Sequence, residues 1–170
     1  MNIVTVLLRL IHIVAGVFWV GGSVIMIGFV EPTVAAIGPD GAKFMQRFAG
    51  PSRFPLFMNL AAPLTTLAGL VLYWMDSGFR IEWIVTRSGL GFTAGGVAGV
   101  AALILGAVVM GPTSAQMAAL GQEMQVAGGP PTPVQVSRMR MLQDKLHQGG
   151  LWGAILLVVA VAAMSVARYL

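Results

Sequence analysis

Four stretches of this chain, about 4–30, 56–75, 90–111 and 149–167, are apolar almost throughout. A helix of about 20 apolar residues crosses roughly 30 Å of hydrocarbon, so each stretch is long enough to span a bilayer. The rest of the chain holds too little charge to coat a water-soluble domain. Charged residues are 9% of the 170, against 57% hydrophobic, and mean hydropathy is +0.85. Soluble domains carry about 25% charged residues. Within lipid every backbone N–H and C=O must be satisfied internally. The expected fold is therefore all-α: a four-helix transmembrane bundle, one integral membrane domain over residues 1–170, multi-pass in the inner or plasma membrane.

The first apolar run follows a basic residue but leads to no small-x-small cleavage site and soluble domain, so it reads as a retained span. The first and third runs end alike, at Glu31-Pro32-Thr33 and Gly111-Pro112-Thr113, where each helix is expected to stop or kink. Small residues and a more polar helical pattern follow both, which points to two tandem helix pairs related by an axis along the membrane normal. A short interfacial helix is expected around Ala42–Phe48, closed by Gly50-Pro51. Trp83, between Arg80 and Arg87, suits the headgroup layer. The stretch AGGPPTP at 127–133 breaks the chain, and the helical pattern after it can run straight into the fourth span.

Formal net charge is +4, but the basic residues are scattered and flank apolar runs, so they mark topology rather than a nucleic-acid surface. Lys43, Arg47, Arg53, Arg138, Arg140 and Lys145 lie on one side; Arg9, Arg80, Arg87 and Arg168 lie on the other. The excess places the loops at 31–55 and 112–148 in the cytoplasm and both termini outside. The expected partners are the lipid bilayer and other membrane subunits or further copies of the chain, with no nucleic acid.

With no cysteine and two histidines, the chain has few groups able to do chemistry in lipid. Phosphate loops, zincin motifs and nucleophile–base pairs are absent, and no carboxylate sits at mid-span as an ion-coupled transporter would need. On a helix turning about 100° per residue, His12, Gly16, Trp19, Ser23 and Met26 share one stripe. Such a stripe faces protein rather than lipid. His12 is then either a metal or haem ligand or a structural residue, bonded to a neighbouring helix or lying at headgroup depth one turn after Arg9. His147 begins the fourth span at the opposite membrane face, too far away to clasp one iron together with His12. The pairs Met117/Met124 and Met139/Met141 read as packing, with soft copper ligation the alternative. Pro63 in the second span implies a kink whose freed carbonyl Thr65 and Thr66 can help satisfy, beside Asn59. Gly95, Gly99 and Gly106 in the third span, with Gly16 in the first, are expected at helix–helix contacts.

The stretch LIHIVAGVFWVGG, 10–22, resembles the first span of CopD-like copper-resistance membrane proteins and of HemJ-type four-helix haem proteins. The last span, within 142–170, looks like that of small integral-membrane relatives whose function is not established. The likeness covers about a third of the chain. It implies a single b-type haem (haem b) with His12, and His12 alone, as the axial ligand; on the shared stripe of the first span, Gly16 would then leave room for the macrocycle and Trp19 would pack at its edge. It implies a redox or electron-transfer role; no catalytic residue is assigned. The alternatives are a non-catalytic transmembrane subunit of a larger complex, or a copper-handling permease.

Overall fold

The computed structural model describes residues 2–50 and 52–170, with Pro39 described by its backbone alone. The described residues form helices and no strand. Four helices are long and apolar enough to cross a membrane: α1 (Ile3–Ile37), α3 (Phe54–Ser77), α5 (Arg87–Ala127) and α6 (Pro133–Ala167). Between them lie α2 (Pro39–Ala49) and a single turn, α4 (Ile81–Ile84). The protein is an all-α, multi-pass membrane protein. Its long helices form a ring in which α1 packs most heavily on α3 and α5 on α6, with lighter contacts joining the two pairs.

Local chemistry accounts for the helix ends. The Asn2 side chain accepts from Val4 N–H at 3.2 Å to start α1. Thr86 accepts from Gly89 N–H at 3.0 Å to start α5. Thr132 and Gln135 form a reciprocal capping box before α6, with Pro133 in its first turn, where a missing N–H costs nothing. Gly78, at φ 54°, closes α3 by bonding back to the Trp74 carbonyl at 2.8 Å. The interfacial helix runs slightly longer than expected, over Pro39–Ala49 with Gly50 as its C-cap; Pro51 lies outside the described residues.

The prolines at which α1 and α5 were expected to stop or kink do not end them. Each is preceded by a five-residue π-helical turn, Met26–Val30 and Gly106–Met110, and the helix continues beyond it. A proline within a regular helix removes one N–H and presses its ring on the carbonyl four residues back. The wider turn relieves that crowding: Glu31 N–H bonds to Met26 O, and Gly111 N–H to Gly106 O, five residues back in each case. In α5 the buried Thr113 hydroxyl also donates to Val109 O at 2.6 Å. The same π turn stands before the Pro-Thr of both helices.

Beyond these turns α1, α5 and α6 project past the apolar spans at one end. There the last part of α5 and the first part of α6 form an antiparallel hairpin sealed by Leu120 and Leu142, 3% and 5% exposed. Inside the bundle, Ala15, Trp19, Ala61, Ala62, Ala102 and Leu157 meet as a common core. Four of these six are alanines. That small size lets the backbones approach, because dispersion rather than water exclusion holds helices together in lipid.

Candidate functional site

His12 lies on the face of α1 turned toward α3, as its stripe requires. Its Nδ1 donates to the Thr65 carbonyl at 2.7 Å; a carbonyl only accepts, so this nitrogen carries the proton. In return the Thr65 hydroxyl donates to the His12 carbonyl at 2.8 Å. Each side chain also packs over a glycine one turn beyond the other residue. A Cβ on Gly69 would lie 2.7 Å from His12 Cε1, and a Cβ on Gly16 would lie 3.2 Å from Thr65 Oγ1. The His-x-x-x-Gly of α1 and the Thr-x-x-x-Gly of α3 thus form a reciprocal polar clasp. Thr65 is the twelfth of the 24 residues of α3, which puts the clasp at mid-span.

The clasp leaves one group unpaired. His12 Nε2 has no hydrogen-bond partner among the described residues, and no unpartnered side-chain nitrogen or oxygen is sealed from the surface. His12 itself is half-buried, so this lone pair opens toward the bundle surface at mid-span. A neutral acceptor left there without a partner costs on the order of a few kcal/mol in hydrocarbon.

Gly16 and Trp19 have other uses than the macrocycle contacts expected of them. The space beside Gly16 is filled by the Thr65 hydroxyl, and Trp19, 9% exposed, packs among the core alanines and Leu157. Ser23 turns back to the Trp19 carbonyl at 2.8 Å. Tested against a haem, the donor chemistry of His12 fits one axial ligand: a tautomer fixed by a backbone carbonyl, with the second nitrogen presented. The crevice between α1 and α3 contributes no slot, because the clasp closes it.

His147 stands well apart. Its Nδ1 lies 2.7 Å from Glu31 Oε2, with the two side chains 52% and 29% exposed. Glu31 follows His12 by nineteen residues on one continuous helix, about 28 Å at roughly 1.5 Å per residue. Just past His147, Gly149 and Gly150 seat both π turns. A Cβ on Gly149 would lie 3.2 Å from Met110 Cγ, and one on Gly150 2.5 Å from Ile27 Cδ1.

Three elements escaped the sequence reading: Gly69 as the floor under His12, Glu31 as the partner of His147, and the Gly149-Gly150 seat. The glycine one turn after both His12 and Thr65 was the signal available for the first. Thr65 was expected to repair the Pro63 kink; instead its hydroxyl crosses to α1, and Thr66 alone turns back, onto Ala62 O at 2.8 Å. Gly95 does line the α5–α6 contact, where a Cβ would meet Met164 Cγ at 2.6 Å. Gly99 and Gly106, expected at such contacts, have open space beside them, where an added Cβ would meet nothing within 4 Å.

No protein-family model, curated protein or solved structure matches the chain.

Proposed function

We propose that this membrane protein binds one b-type haem through His12 and serves a redox or electron-transfer role. The observation that carries the reading is the half-buried His12 imidazole at mid-span, its Nδ1–H held by the Thr65 carbonyl and its Nε2 lone pair unpartnered. A backbone carbonyl on the far nitrogen is the common outer-shell partner of ligating histidines, fixing ring orientation and raising basicity. The redox role follows from the resemblance of the first span to haem-binding membrane proteins. Bound haem would supply a one-electron couple inside the bilayer. Thr65 fixes the ring, Gly69 sets its depth against α3, and the hydrocarbon around the clasp excludes water. His147 has no part in this ligation.

The test is the visible spectrum of the protein purified gently from haem-replete cells. A Soret band that His12→Ala removes, and that His147→Ala leaves in place, supports the reading. A colourless wild-type protein refutes it.

A second reading, a non-catalytic subunit docking in a larger membrane complex, is favoured by one separate observation. A Cβ added at Gly96, Gly99 or Gly106 on α5 would meet nothing within 4 Å, so these half-buried glycines leave open space beside the helix. Copper handling gains no such support, since Met117 and Met124 lie on α5, and Met139 and the 63%-exposed Met141 on α6. The Lys and Arg excess favours an orientation with α2 and the α5–α6 hairpin in the cytoplasm.

A further inference from the structure

The junction between α2 and α3 gathers cationic and aromatic groups where a spanning helix enters the bilayer. Arg47 precedes Phe48, Arg53 precedes Phe54, and the two rings pack at a tilt of 34° with centroids 4.7 Å apart. That contact brings the two arginines to one junction, and both are exposed. Ser52 fixes the join: its hydroxyl donates to the Phe48 carbonyl and accepts from Phe54 N–H at 3.2 Å. Phe44 extends the aromatic row, stacking on Phe48 at 5.5 Å while 49% exposed.

The two guanidiniums have no ion-pair partner among the described residues. Among the described residues the ion pairs are Lys43–Asp40 and His147–Glu31, so Asp40 is already matched and neither Arg47 nor Arg53 meets a carboxylate. One turn into α3, Phe57 stacks on Phe18 of α1 at 6.2 Å, both rings more than half exposed on the apolar flank. Two unpaired guanidiniums at the membrane boundary, above an aromatic pair on the lipid-facing side, match the two ends of one kind of molecule.

We propose that the α2–α3 junction binds anionic phospholipid, with Arg47 and Arg53 on the headgroup phosphate and the Phe57–Phe18 pair against an acyl chain. Guanidinium matches phosphate oxygens in a two-pronged geometry that lysine lacks. Each basic residue near an anionic surface contributes about 1 kcal/mol, a factor of about five in occupancy.

The experiment reconstitutes the whole protein in nanodiscs of phosphatidylcholine alone or mixed with phosphatidylglycerol. After gentle extraction, native mass spectrometry counts the lipids retained. Wild type should keep phosphatidylglycerol in preference to phosphatidylcholine, with retention falling about fivefold for each of Arg47→Gln and Arg53→Gln. Arg80→Gln/Arg87→Gln, at the other end of the bundle, should retain it like wild type, and excess inorganic phosphate should not displace it. The Arg47→Lys/Arg53→Lys variant, which keeps the charge and guards against misfolding, should fall between wild type and the double Gln variant. Three results would each overturn the proposal: wild-type retention by the double Gln variant, equal loss in the Arg80/Arg87 control, or displacement by inorganic phosphate.

Discussion

Gly95 and Gly99 sit one turn apart on α5, and the same substitution at each should have opposite consequences. A Cβ at Gly95 would lie 2.6 Å from Met164 Cγ and 3.0 Å from the Ala160 carbonyl oxygen. Non-bonded carbons rest at about 3.5–4.0 Å, so the first contact is short by about 1 Å. Met164 can swing aside. The Ala160 carbonyl belongs to the α6 backbone and can move only with its helix. Overpacking of this kind costs about 1–3 kcal/mol. At Gly99 an added methyl meets nothing within 4 Å. Alanine is favoured over glycine in a helix by about 1 kcal/mol in water, and this preference is common to both variants. Their difference therefore isolates the clash: Gly95→Ala should be less stable than Gly99→Ala by about 1–3 kcal/mol. The assay is reversible unfolding in mixed micelles, followed by tryptophan fluorescence. Equal stability of the two variants would refute the packing argument.

At the clasp, Thr65→Val removes a hydroxyl of matching shape and should destabilise the bundle by about 0.6–1.7 kcal/mol, the range of interhelical hydrogen bonds in membranes; a neutral result in the same unfolding assay would count against the clasp. Gly69→Leu should displace the imidazole and abolish or strongly shift any Soret absorption, as His12→Ala does, because a Cβ at Gly69 falls 2.7 Å from Cε1; an unchanged spectrum in a haem-loaded protein would separate the haem from this site. Glu31→Gln should cost less than about 1 kcal/mol, since its pair with His147 is partly exposed; a larger loss on thermal unfolding would assign that contact a role in holding α1 to α6. For orientation, Val126→Cys, at a position 89% exposed near the end of α5, should react with an impermeant thiol reagent only after the membrane is opened.

Much of the fold was legible because lipid leaves a chain few options. Long apolar runs with almost no charge can be satisfied only by spanning helices, and the periodicity of α1 was enough to turn His12 toward protein. The AGGPPTP break and the helix leading into the fourth span were also readable, since proline, glycine and a Thr132 cap act within a few residues. The shared Pro-Thr marked matching places in α1 and α5, but it did not reveal that both helices would continue. A π turn is a choice of hydrogen-bond partner one residue further back, and no residue type declares it.

The remaining features depend on how the helices are rotated against one another. Glycines at 95 and 99 are equivalent as residues, and only the docked α6 makes one a contact and the other an open surface. Thr65 has a carbonyl of its own helix within reach, and the close approach of α1 is what draws its hydroxyl across. His147 meets Glu31 because Gly149 and Gly150 let α6 lie against both π turns, a juxtaposition of residues far apart in the chain. The sequence by itself determined the solvent, the number of spans and the direction in which His12 faces, all of which follow from local composition and helical period. Only the tertiary structure decided what His12 touches and which of its nitrogens is left free, because a hydrogen bond is set by the distance between two helices, and neither helix encodes that distance alone.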